Sequence, residues 1–275
     1  MPRQRPAEWG LAECGLAGGE ERLSADCLDE ELSGIILSVL SKIIGVIGEL
    51  LLTAGVLVAL FAFYLLYWSG LETGKAQQQA RDELQQAWSA PASAAAQAPE
   101  GTEPAVEGSW VPGSAVAMIS APKAGFSDLV VFEGVSQEVL RGGPGHYPST
   151  ALPGQVGNSS YAAHRDGHGA PFDNIDRLQT CDDITVETRD AIYRYKVLPV
   201  DGMAGAGESF DCVPEGTNVP EIPGQHIVTP DRADVLNPVG DATLLTLTTC
   251  HPQWDNTHRL IIHAVLAGVE TKEVN

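Results

Sequence analysis

Near its C-terminal end the chain reads TLTTCHPQWDNTHRLIIHAVL, from Thr246 to Leu266. Cys250 closes a run of β-forming residues, and Arg259 opens the next apolar run nine residues later. A thiol becomes a strong nucleophile once a neighbouring base or cation favours its thiolate. A fixed guanidinium can hold the oxyanion that forms when such a nucleophile adds to a carbonyl. The pair therefore suits acyl transfer through a thioester. If Leu244–Cys250 and Arg259–Leu266 form a hairpin around His251–His258, Cys250 and Arg259 face each other across its open end. The plain alternatives are a cysteine buried as a small apolar residue and an arginine at a solvent-exposed rim.

A base for the thiol would come from the seven histidines. His164 lies in NSSYAAHRDGHGAPF, His146 in PGHYP, His251 directly after the cysteine, and His263 inside the last apolar run. Spacing alone does not choose among them, because a Cys–His pair is assembled in space. His164 and His168 also make an H-x3-H pair, but the Gly and Asp around them disfavour the helix that a metal pair would need.

The elements that must position these residues begin at about Ser114. AVAMI, DLVVF, DITVET, AIYRYKVLPV, HIVT, ATLLTLTT and RLIIHAVL are short β-rich runs separated by Gly, Pro, Asn and Asp. That spacing predicts a mostly β body, a barrel or a sandwich. PDRADVLN predicts a short helix near Asp231.

The preceding segments are of a different kind. Residues 1–33 read as a disordered cytoplasmic tail, acidic and without apolar periodicity. Residues 34–69 form an amphipathic and transmembrane region. Leu50 to Trp68 has no charge, and Tyr64, Tyr67 and Trp68 stand at one end as interfacial aromatics do. Ile35 to Gly48 carries Lys42 and leads into Glu49, which predicts an interfacial helix. Residues 70–113 read as a helical stalk, Glu72 to Ser89, followed by a Pro/Ala linker. The net charge of −20 excludes the basic footprint that nucleic-acid binding needs.

Five cysteines divide around the apolar run, with Cys14 and Cys27 before it and Cys181, Cys212 and Cys250 after it. If the body is exported, three cysteines leave one odd thiol. Cys181 and Cys212 sit among turn-like polar residues, so Cys250 is the candidate for the free one.

TLTTC followed by HP, with an arginine nine residues after the cysteine, resembles the signature of the sortases. GPGHYPSTALPGQVGN followed by AAHR, then GAPFDNIDRL and CDDITVET, continue that likeness across about Ala115 to Ala267. The forms TLTTCHP and GHYPSTALPGQVGN are most similar to the class E sortases of actinobacteria. The resemblance implies an eight-stranded β-barrel over residues 114–275, preceded by one transmembrane helix. It implies Cys250 as nucleophile, His164 as general acid and base, and Arg259 as the oxyanion or substrate-orienting cation. Thr249 and Tyr161 are assigned to substrate binding. Ala163 departs from the glycine expected before the histidine, and Asp201–Gln225 is longer than usual. Cys212 in that insertion and Cys181 in TCDD are unusual cysteines, which suggests a bond between them. The substrates implied are exported proteins with a C-terminal sorting signal of LAxTG type, cut between Thr and Gly. The acceptor implied is a peptidoglycan or lipid II amine. No metal or organic cofactor is implied. The location implied is the cell membrane, single-pass, with the N-terminus cytoplasmic and the catalytic domain outside. Two rival readings remain: another exported cysteine transpeptidase of the L,D type, and a non-catalytic sortase-like binding or structural protein.

Overall fold

The computed structural model describes residues 25–64, 69–89, 110–202 and 210–272. The chain forms two compact units.

The first unit is built on α1 (Ala25–Phe63). The sequence divides this region into a tail ending at residue 33, an interfacial helix and a span, whereas the structure runs one unbroken helix. ADCLDEEL is rich in helix formers and acidic residues, which suits a helix start. No proline follows before Phe63, and each glycine costs a helix only about 1 kcal/mol. Ser33–Phe63 is long and apolar enough to cross a membrane, and none of it is buried. At 1.5 Å per residue its 31 residues reach about 46 Å, longer than the ~30 Å hydrocarbon layer. Tyr67 and Trp68, read as interfacial anchors, lie outside the described residues, as do residues 1–24 and 90–109.

The second unit is a β-barrel. Its strands are β1 (Ala115–Ala121), β2 (Phe126–Glu133), β3 (Gly145–His146), β4 (Gly157–Ala162), β5 (Asp183–Glu187), β6 (Ala191–Val197), β7 (Gln225–Val228), β8 (Thr243–His251) and β9 (His258–Thr271). Neighbours run in the order β6-β5-β1-β2-β3-β4-β8-β9, and β6 pairs with β9 to close a ring of eight. β7 joins the same edge of β9 beyond the end of β6, opposite Arg259 to Ile262. All pairs are antiparallel except β2–β3 and β4–β8.

Alternation sorts the two long strands into two faces. Leu245 and Leu247 of β8, with Leu260, Ile262 and Ala264 of β9, point into the barrel and pack with Ile119, Phe172, Ile184 and Tyr195. Leu244 of β8 and Val265 of β9 point outward. There they are covered by Phe210, Val213, Val219 and Ile222 from the Asp201–Gln225 insertion. Cys181 and Cys212 are bridged, with Cα atoms 5.8 Å apart, and tie that insertion to the segment entering β5. PDRADVLN forms a 3₁₀ turn, Ala233–Leu236, that starts after Arg232.

The helix read as a stalk lies against the barrel. In α2 (Ser69–Ser89), Thr73, Gln77, Ala80 and Leu84 recur on one face and are buried. Ala80 and Leu84 pack on Met118 and Val130. The Gln77 amide accepts from Val130 N at 2.7 Å and donates to Val130 O at 3.0 Å and Gly142 O at 2.7 Å. It thereby satisfies an open stretch of the β2 edge as a neighbouring strand would. Helix α3 (Gln137–Gly142), capped by Ser136, lies between β2 and β3.

Candidate active site

Cys250 stands directly opposite Arg259 in the β8–β9 ladder, and the hairpin extends one pair further to His251 and His258. The parity of β8 puts Cys250 on the outer face together with Thr248 and Thr246. The parity of β9 puts Arg259 outward with Ile261 and His263. Next to this pair a pocket of about 160 Å³ opens, bounded by Thr248, Arg259, Ile261, Tyr147, Val228 and Leu236. One wall is the segment from Thr229 to Leu236 that follows β7. A larger cavity of about 620 Å³, between α2 and the β2–α3 region, holds none of the candidate catalytic side chains.

His164 arrives from β4, a strand that the sequence conceals as a polar loop. Gly157–Ala162 is buried at all six positions, and Asn158, Ser159 and Tyr161 find side-chain partners while the Ser160 hydroxyl has none among the described residues. Asn158 accepts from Thr246 Oγ1 at 2.7 Å, and Ser159 bonds Tyr161 Oη at 2.8 Å. β4 runs parallel to β8 with Ala162 opposite Thr248. That register, continued two residues past the last pair, would bring His164 level with Cys250. Bonds on either side hold that alignment. Thr249 Oγ1 donates to Ala163 O at 2.8 Å, and Arg165 Nη1 donates to His251 Nδ1 at 2.6 Å.

His164 is half-buried, its Nε2 has no hydrogen-bond partner among the described residues, and its ring lies 4.9 Å from that of His168. Burial holds its pKa below 6.5; the charges of His168 and Arg141 push the same way, against Asp166. The imidazole is therefore neutral at neutral pH, with a nitrogen free to take a proton. The Arg259 guanidinium donates from Nη1 to Asn256 O at 3.1 Å and His258 O at 2.8 Å, which leaves other N–H groups for a ligand.

His146, His263 and His251 are committed elsewhere. His146 is buried between Glu133, 2.9 Å away, and Ala151 O. His263 is buried against Thr246, 2.8 Å away, and burial drives its pKa down to about 3. His251 is engaged by Arg165.

Two residues assigned to substrate binding are placed otherwise. Tyr161 has no exposed surface and belongs to the core. Thr249 is 3% exposed, and its hydroxyl is used on Ala163 O. Odd positions of β8 face inward, so the threonine beside the pocket is Thr248, which bonds Tyr147 Oη at 3.0 Å. Thr248 and Tyr147 are residues the motif-based reading passed over. The signal that finds Thr248 is strand parity counted back from Cys250. In the barrel unit Cys181 and Cys212 are paired and Cys250 is free.

A sortase domain family matches residues 119–267. Sortase SrtE1 of Streptomyces coelicolor is 32% identical over 232 residues, covering 78% of this chain and 55% of that protein; the chain thus spans about half the length of this relative. Sortase SrtE2 of the same organism is 29% identical over 239 residues, covering 84% of each chain. The solved SrtF sortase of Corynebacterium diphtheriae superposes with a TM-score of 0.53 at 33% identity, covering 63% of this chain and 95% of that one. The barrel, the hairpin that opposes Cys250 to Arg259 and these likenesses agree: the chain belongs to the sortase family, with class E sortases of Streptomyces among its relatives.

Proposed function

We propose that the protein is a membrane-anchored cysteine transpeptidase that cuts a C-terminal LAxTG-type sorting signal between Thr and Gly. The observation that carries this reading is the Cys250–Arg259 pair on the outer barrel face, beside a pocket and in register with His164. His164, neutral at rest, takes the thiol proton as Cys250 Sγ adds to the threonine carbonyl carbon. The oxyanion forms within reach of Arg259, whose planar cation stabilises it. Collapse breaks the C–N bond, the imidazolium returns its proton to the departing glycine amine, and a Cys250 thioester remains. An amine of the cell wall, from a peptidoglycan stem peptide or lipid II, then attacks the thioester and passes its proton through His164 to the thiolate.

The pocket walled by Thr229–Leu236 is where the residues ahead of the scissile bond would lie, because it adjoins Arg259 on the nucleophile's face. Helix α1 would anchor the enzyme in the membrane, with the N-terminus cytoplasmic and the barrel outside. The bridged Cys181–Cys212 pair fits an exported body. The direct test is turnover of a fluorogenic LAxTG peptide with and without an amine acceptor. Mass spectrometry should trap the acyl adduct on Cys250. A protein that neither cleaves the peptide nor forms the adduct would refute the reading.

A further inference from the structure

Arg165 and His251 each follow a candidate catalytic residue by one position. Strand pairing between β4 and β8 ends at Ala162 and Thr248, with one more backbone bond from Ala163 N to Thr248 O at 3.2 Å. His164 and Cys250 lie beyond that end, so the ladder does not fix the gap between them. Side chains of the flanking residues bridge the two segments there. Arg165 Nη1 donates to His251 Nδ1 at 2.6 Å, and Arg165 Nη2 lies 3.3 Å from Asp176 Oδ2. One residue on, Asp166 Oδ2 accepts from Trp254 N at 2.8 Å.

Arg165 is 7% exposed, unusual for a charged residue, and its buried Nε has no partner. Its far anchor, Asp176, sits in the turn Ile175–Arg177, pinned to the core by fully buried Ile175 and Leu178. A chain of contacts therefore runs from the core through Asp176, whose carboxylate is 45% exposed, and Arg165 to the residue after the nucleophile. Because arginine stays charged and only donates, the bond fixes His251 as acceptor at Nδ1, with its proton on Nε2. Burial, then the charges of Arg165 and His258, keep the His251 ring below its ordinary pKa, on the neutral side this bond requires.

We propose that Arg165 is a positioning residue which, through His251, sets the spacing between His164 and Cys250. This assignment rests on the transpeptidase reading of the site. Proton transfer needs heavy atoms within about 2.6–3.2 Å, and a displacement of ~1 Å can cost on the order of 10²-fold in rate. The bridge touches neither the pocket wall nor Arg259, so its loss should act on the chemical steps and spare substrate binding.

The test uses the full-length protein in detergent, with Arg165→Met, His251→Leu, His251→Asn and the double variant Arg165→Met/His251→Leu. The expected result is that Arg165→Met and His251→Leu each lower kcat by about tenfold or more with KM within about twofold. The double variant falls no further than the worse single, and His251→Asn, which keeps an acceptor near the Nδ1 position, retains most of the rate. Losses that multiply in the double variant, or a kcat within about threefold of wild type for Arg165→Met, overturn the assignment. If Arg165→Met does not fold, an unchanged kcat in His251→Leu overturns it equally. A second readout needs no substrate: the pH profile of Cys250 alkylation by iodoacetamide. Wild type and His164→Ala should differ, and His251→Leu should approach His164→Ala. A His251→Leu profile matching wild type overturns the assignment even if the peptide is never cleaved, a result that would count separately against the transpeptidase reading.

Discussion

Cys250 and Arg259 are cross-strand partners, directly opposite on β8 and β9, both on the outer face of the barrel. The separation of nine residues in sequence is closed by one hairpin. The thiol and the cation therefore share a face for the same reason that Leu247 and Ile262 share the interior: strand parity.

Replacing Cys250 by Ala should abolish peptide cleavage and the acyl adduct while leaving the melting temperature nearly unchanged. The side chain is only half-buried at the end of β8, so its loss opens no cavity in the core. Mass spectrometry and a thermal melt check this together. Cleavage at the wild-type rate would remove Cys250 from the chemistry.

Arg259→Lys should keep the charge and lose the planar fork. The loss of one oxyanion donor costs on the order of 10²-fold or more in kcat. Steady-state kinetics with the LAxTG peptide decide the point, since a drop below about threefold would leave Arg259 a rim residue.

The acid limb of kcat/KM should have its midpoint below pH 6.5, because burial and the nearby His168 and Arg141 charges hold the His164 pKa down. The sign follows from what His168 does. Its positive charge disfavours a second one on His164, so His168→Gln should move the limb toward higher pH. The move should be partial, because burial is the larger cause. A pH–rate profile that shifts the other way would contradict the assignment of this limb to His164.

Folding stability should fall on acidification through His263. Its pKa is about 3 in the folded protein against about 6.5 unfolded, so between these values the unfolded chain binds the extra proton. Stability is full above the unfolded value and declines as pH drops, with a slope of at most about 1.4 kcal/mol per pH unit. Urea unfolding at pH 7, 5 and 4 should show the decline, and His263→Gln should flatten it.

Breaking the bridge with Cys181→Ser and Cys212→Ser should destabilise the barrel unit by about 3–4 kcal/mol on a chain-entropy argument for a 31-residue separation. The loosened insertion would no longer be tied down over Leu244 and Val265. Denaturant unfolding with and without reductant measures the difference. Thiol titration of unreduced protein starting at Ser69 should find one reactive cysteine.

Much of the active strand hairpin was readable from residue order. TLTTC and RLIIHAVL alternate or run apolar as strands do, and the polar HPQWDNTH between them can only be a turn region. Hairpin register is a local matter, so Cys250 could be matched to Arg259 without knowing the rest of the fold. The apolar content of Ser33–Phe63 likewise needs no partner to be read, although the unbroken helix across Gly48 and Glu49 was not foreseen.

What the tertiary structure decided is everything that depends on a distant partner. GNSSYA carries no strand signature, because Asn158 meets Thr246 only once β4 lies parallel to β8, while Ser159 bonds Tyr161 within the strand. Without that strand His164 is one of several histidines, and with it the chain on either side of His164 meets the chain on either side of Cys250, Ala163 bonding Thr249 and Arg165 bonding His251. Thr249 and Tyr161 looked like groove residues from their place in the motif, yet the pleat turns both inward and gives the pocket to Thr248. The helix read as a stalk is held by Gln77 on the β2 edge, a contact between residues 53 apart. Composition and short-range periodicity report which surfaces are apolar and which turns are close. They do not report which polar groups will find each other, since those bonds form only when the chain has closed long loops around them.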